Sequence, residues 1–268
     1  MTPPRPSSYR PRIHPAAARH FPAAAQRWGM EVFPRMDPEA LRGADVVIGF
    51  PGPGLVGGIV VESLVEELRL VPVGCLGGTA LPPQALVEAG RPYWPVLVFA
   101  RPGFAVIKAE ADLDGAAAHA LGRAIAAMLK RSGVRTLTLV DGLPGVEPGD
   151  AGHVWSASSD EALRARYEEA GALVLEEGAF GGGAAATALW AAEVGLACGY
   201  LASPARMHLP DARSAALVLD VLARLYGLGI DGRGLEQKGE QLELAWGRLM
   251  DEAQAAVAQE PRDANMYS

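Results

Sequence analysis

Apolar residues recur along this chain in two alternating spacings. Val46-Val47-Ile48-Gly49-Phe50 is an unbroken apolar run of strand length. Behind it Leu55, Val56, Ile59, Val60, Leu64 and Leu68 return at three- and four-residue intervals, with Glu62, Glu66 and Arg69 on or near the other side. The first spacing predicts a buried strand, the second an amphipathic helix. Strands are predicted in the same way at 71–76, 85–89, 96–100, 105–109, 134–140, 172–175 and 196–202. Helices are predicted from Asp112 or Asp114 as cap through Lys130, at about 160–170, and at 184–193. Another is opened by Pro210-Asp211 and carries Leu217, Val218, Val221, Leu222 and Leu225.

Strand–helix alternation of this kind predicts an α/β protein: a three-layer α/β/α sandwich with a mixed, mainly parallel central sheet, its mixed part over 85–109. Residues 1–21, rich in Pro, Arg and Ala and without periodicity, read as a flexible N-terminal arm. A single α/β domain is expected over 22–230, although 22–43 carry no clear period and leave room for one short helix. Residues 231–258 hold a long C-terminal helix candidate with Leu242, Trp246, Leu249, Ala253 and Ala256 on one face. Residues 259–268 read as a loose tail.

Half of the 268 residues are apolar, enough for a sizeable core, and the net charge is −7. That balance, with no basic stripe, argues against a nucleic-acid partner. No apolar run is long enough to span a bilayer, and the N-terminus lacks a signal-peptide core, so the expected location is the cytoplasm. Cys75 and Cys198 are far apart in apolar stretches and read as two buried, reduced thiols.

The turn after the first strand carries the candidate chemistry. Gly52, Gly54 and Gly57 spell G-x-G-x-x-G between a strand and a helix. A dinucleotide site also wants an acidic residue about 20 positions on, and residues 70–80 contain neither Asp nor Glu. No Gly-Lys-Ser/Thr follows either, so neither ATP nor NAD(P) is expected as cofactor. The plainer reading is that Gly52 and Gly54 make a tight turn while Gly57 and Gly58 let the helix approach the sheet. A second glycine-rich crossing, Gly178 to Gly183, precedes another helix. Asp141 ends a predicted central strand, where α/β ligands bind, and there it is either a site carboxylate or a turn residue before Gly142. Gly52, Gly54, Gly57, Asp141, Gly181 and Gly182 therefore define a candidate ligand crevice.

The five histidines, 14, 20, 119, 153 and 208, show no metal-ligand spacing, and H-E-x-x-H and G-x-S-x-G are absent. His153 with Asp141, and His208 with Asp211, are loop pairs that the fold would have to bring together; solvent-exposed histidines are the simpler reading. No catalytic residue, cofactor ligand or metal ligand is expected from these motifs.

In their order, several segments resemble the proteasome assembly chaperone 2 family of archaea, bacteria and eukaryotes. They are Gly49-Phe50-Pro51-Gly52-Pro53-Gly54-Leu55-Val56-Gly57, Leu81-Pro82-Pro83 with Gly90, and Thr138-Leu139-Val140-Asp141-Gly142-Leu143-Pro144. The 178–183 loop, the helix entry at 211–216 and the 227–231 stretch follow. The likeness covers about 44 to 250. It departs from the common pattern in the proline-rich first loop, in Asp141 where Gly is frequent, and in the long N-terminal arm. The resemblance implies a phosphorylase/hydrolase-like fold, self-association and chaperoning of proteasome α-subunits rather than catalysis.

The chain ends Met266-Tyr267-Ser268, and hydrophobic–Tyr–any at a free C-terminus resembles the docking motif of proteasome activators. With half the residues apolar and 6 Tyr, a random terminus matches at about 1 in 100. The expected function is thus a non-enzymatic assembly chaperone or adaptor, a homo-oligomer docking partner rings through Met266, Tyr267 and Ser268. The alternative is an anion- or small-molecule-binding α/β protein or enzyme using the glycine loops at 49–58 and 178–183.

Overall fold

The structure, a computed structural model, describes residues 32–88, 90–111, 113, 115–144, 152–207, 209–235 and 237. The arm at 1–21, the 235–258 helix beyond these residues, the 259–268 tail, the cap candidates Asp112 and Asp114, and His14, His20 and His208 lie outside that set.

The alternating pattern folds much as its periods require. In chain order the elements are β1 (Phe33–Met36), β2 (Asp45–Gly49), α1 (Val56–Glu67), β3 (Val71–Gly77), β4 (Leu86–Glu88), β5 (Arg91–Tyr93), β6 (Val96–Arg101), β7 (Phe104–Ala109) and α2 (Gly115–Arg131). They continue with β8 (Thr136–Leu143), β9 (Trp155–Ser158), α3 (Glu161–Glu169), β10 (Leu173–Val174), α4 (Gly182–Glu193), β11 (Cys198–Pro204) and α5 (Ala212–Tyr226). Among the described residues nine strands form one sheet in the order β1-β3-β6-β7-β2-β8-β11-β9-β10, and β4 pairs β5 in a separate hairpin.

The centre of the sheet, β7-β2-β8-β11, is parallel. The flank is antiparallel, β1 on β3, β3 on β6 and β6 on β7. Every residue of β2 is buried, as expected of a strand covered on both faces.

Two cores result. On one face Val56, Val60 and Leu64 of α1 pack with Leu163 and Tyr167 of α3 and with Val218 and Leu222 of α5. On the other, Leu121, Ile125 and Leu129 of α2 and Ala184 and Ala191 of α4 cover Val46, Ile48, Leu137, Leu139 and Tyr200. Each fully buried Leu or Ile contributes about 1.5–3 kcal/mol. Thr138 crosses the first layer: its hydroxyl meets Tyr167 Oη at 2.8 Å and Tyr226 Oη at 2.6 Å, tying α3 and α5 to β8. Gly199 is required there, because a side chain would overlap Tyr167.

The described part of 22–43 contains the edge strand β1 and one 3-10 helix, Pro38–Leu41. One reading of the sequence changes. Asp141 and Gly142 are not a turn: β8 runs on through Leu143, because Ala202, Ser203 and Pro204 of β11 pair with Asp141, Gly142 and Leu143.

Candidate functional site

β2 and β8 lie side by side, and the chain leaves them toward opposite flanks of the sheet. Their carboxyl ends form the switch point at which α/β proteins build sites. The first loop descends from β2 through Phe50, Pro51 and Gly52 into a 3-10 turn, Pro53–Leu55, before α1 begins. Gly54 has φ +63, a left-handed conformation, and a Cβ there would stand 2.8 Å from Ala205 Cβ and 2.9 Å from Asp211 Cβ. Its carbonyl accepts the Asp211 N–H at 2.8 Å, which locks the loop to the start of α5.

Gly57 serves close approach: a Cβ would lie 2.6 Å from the Val140 carbonyl oxygen and 2.8 Å from that of Phe50. Gly58 does not share this role, since nothing stands within 4 Å of its Cβ position. The first loop is therefore packed against β8, β11 and α5 over Gly54 and Gly57.

Asp141 stands against the first loop. A side chain on Gly52 would overlap its carboxyl group, and its Oδ1 accepts the Gly142 N–H at 2.8 Å. Burial pushes its pKa up from 3.8 to about 6, against the lowering effect of that N–H. No ion pair to Asp141 occurs among the described residues.

The second glycine loop reaches the same place from above. Phe180 stacks on Tyr200, centroids 4.0 Å apart and planes 11° apart. Gly183 sits on the Phe50 ring, where a Cβ would overlap it. Gly181 is the N-cap of α4 without a side-chain bond, Gly182 has φ +62, and the Cβ positions of both are open. Gly52 thus lies against Asp141, Gly54 and Gly57 face packed neighbours, and the Cβ positions of Gly181 and Gly182 stand clear of all of them.

Phe50, Phe180 and Tyr200 are the participants that sequence reasoning missed. Their signal was the aromatic next to each glycine run, and Tyr200 read only as strand. His153 enters through its backbone alone, its carbonyl accepting from Ser203 Oγ at 3.0 Å.

A separate groove of about 600 Å³ lies on the α2/α4 face, lined by Leu81, Pro82, Ala117, His119, Arg123 and Trp190, and it does not join the two glycine loops. The Arg123 guanidinium stands 5.9 Å from the Trp190 ring centroid. Cys75 and Cys198 are both buried and free, and burial pushes their thiols up to about 11 and about 12. Among the described residues no group of three His, Cys, Asp or Glu could hold a metal, and no helix is long and apolar enough to cross a membrane.

The architecture defines an α/β/α protein whose switch-point loops are largely locked together by glycine contacts. The chain belongs to the PAC2 family, whose profile matches residues 46–250.

Its fold is shared with a Pyrococcus furiosus protein, PbaA, described as an archaeal homolog of proteasome-assembly chaperone. That crystal structure superposes with a TM-score of 0.76 at 24% identity, over 85% of this chain and 95% of the other. PbaB of the same organism, described as an archaeal proteasome activator, superposes with a TM-score of 0.72 at 18% identity, over 82% and 99%. An uncharacterised protein of Methanocaldococcus jannaschii is 24% identical over 226 residues, 83% of this chain and 92% of the relative. The family and fold expected from the sequence are those found.

Proposed function

We propose that this protein is a non-enzymatic assembly chaperone or adaptor that acts in the cytoplasm on proteasome-type α-subunits. In this reading it works as a homo-oligomer and docks through Met266, Tyr267 and Ser268. The observation that carries the reading is its PAC2 membership, in a fold that a proteasome-assembly-chaperone homolog and a proteasome activator share.

The tail supplies suitable chemistry: a terminal carboxylate for a basic group, a tyrosine for a cleft and a methionine for its wall. The first glycine loop supports the non-enzymatic side, because Ala205, Asp211 and the Phe50 and Val140 carbonyls crowd Gly54 and Gly57.

The reading is tested with α-subunits cloned from the same host. The full chain retains them on an affinity column, and the Tyr267→Ala variant does not. Equal retention by both, or a host that encodes no proteasome-like ring, contradicts the proposal.

A further inference from the structure

The groove on the α2/α4 face is set by close helix packing. Gly122 of α2 lies against α4, where a Cβ would stand 2.8 Å from the Ala186 carbonyl carbon and from the Thr187 nitrogen. Arg123 follows Gly122, and Trp190 stands one turn beyond Ala186. The close contact therefore brings these two together, with the guanidinium carbon 5.9 Å from the ring centroid. On α2, Ala116, His119, Ala120 and Arg123 recur at three- and four-residue spacing and share one face. Leu81 and Pro82 complete the lining. Leu81 is buried in the core with Leu121 and Ile125, and its N–H donates to the Gly78 carbonyl at 3.4 Å in a turn after β3. Pro82 fixes its own φ, so this wall is stiff as well.

The volume of about 600 Å³ is that of pockets that hold small molecules. The lining is apolar except at Arg123 and His119, and among the described residues no Asp or Glu lines it. A guanidinium presents a planar fork of donors that matches a carboxylate. The His119 imidazole, exposed on the same helix face, offers a further hydrogen bond. Ala116, Ala117 and Ala120 carry nothing beyond Cβ, so a flat group can lie close to α2, and Trp190 supplies an aromatic wall for it. The charge balance limits the ligand further. A single guanidinium on a chain of net charge −7 matches one carboxylate and leaves a polyanion uncompensated.

We propose that this groove binds a small aromatic monocarboxylate. Its carboxylate meets Arg123, and its ring lies between the alanines of α2 and Trp190, against Leu81 and Pro82. Nothing in this site depends on ring docking.

Sodium phenylacetate is the probe. It is titrated into the full chain, isotopically labelled at its five tryptophans, against sodium chloride at matched ionic strength. The Trp190 indole N–H signal, assigned with Trp190→Phe, shifts saturably. Neutral phenylacetamide binds roughly tenfold more weakly, for want of the charge-assisted bond. Sodium acetate, a carboxylate without a ring, leaves the signal in place at the same concentration. Arg123→Gln weakens phenylacetate by roughly tenfold. Ala116→Leu fills the groove with a residue that a helix accepts readily, and it abolishes the shift. Both substitutions fall at exposed positions of α2, so the variants should fold, and the remaining indole signals check this. The assignment is overturned if Trp190 shows no saturable shift, if acetate or phenylacetamide binds as tightly as phenylacetate, or if either α2 variant binds as the wild type does. A titration curve changed by deleting Met266–Ser268 also overturns it, since the groove would then hold the chain's own tail.

Discussion

Gly57 and Gly58 are neighbours in sequence with opposite surroundings. Gly57→Ala forces a methyl against two backbone carbonyls that cannot rotate away, and overpacking of this kind costs about 1–3 kcal/mol. Gly58→Ala meets open space inside α1, where Ala outranks Gly by roughly 0.5–1 kcal/mol. Urea unfolding of the two variants should therefore move in opposite directions. Asp141 gives a second residue-scale prediction. Its folded pKa, about 6, stands above the ordinary 3.8, so the protonated form favours the fold. That contribution is fully present below pH 3.8 and is lost as pH rises through 6. The difference corresponds to about 3 kcal/mol as an order of magnitude. Asp141→Asn should accordingly gain stability at pH 7.5 and none at pH 3.5, measured by denaturant midpoints at both pH values. Identical wild-type and variant stability at pH 7.5 contradicts the buried, uncompensated carboxylate.

Among the elements, long amphipathic helices and apolar strands were legible because burial imposes their period. The stripe of α5, from Leu217 to Leu225, and the run in β2 are examples. The strands that escaped notice lack that signal. β1 carries Pro34 at a sheet edge, where a missing N–H is tolerated, β5 is three residues long, and β9 reads Trp-Ser-Ala-Ser. Asp141-Gly142 looked like a turn, and pairing with β11 overrode that local preference. Of the candidate site, the glycines and Asp141 could be read locally. Tyr200 and Phe180 could not, because their meeting depends on β11 and the α4 leader lying on one face. Helix caps offer a prediction at this scale. Among the described residues the Asp160 carboxylate accepts only the Leu163 N–H at the start of α3, at 2.7 Å. Asp211 accepts from Ser214 and Arg206 N–H, pairs with the Arg206 side chain, and through its own N–H holds Gly54. Asp160→Ala should cost about 1 kcal/mol, and Asp211→Ala more, up to about 2. Equal losses in thermal unfolding would mean that the Asp211 carboxylate contributes no more than a single cap bond through its contacts with Arg206.

At the scale of the whole molecule, a mixed sheet covered on both faces leaves function to what the chain adds around it. The fold places two loops in contact at the switch point, and the family places the protein among PAC2 members. Self-association is proposed from Leu242, Trp246, Leu249 and Ala253 at near-heptad spacing. Light scattering at tens of micromolar should return a multiple of 28.0 kDa, and a strictly monomeric mass ends that part of the reading. The central claim is a proteasome-type partner engaged by the C-terminus. Native mass spectrometry of the host's α-subunits mixed with the full chain, and with a chain lacking Met266–Ser268, addresses it most directly. The account predicts a stoichiometric complex with the full chain only, while both chains keep the same fold and oligomer. A complex with neither chain, or with both alike, contradicts it.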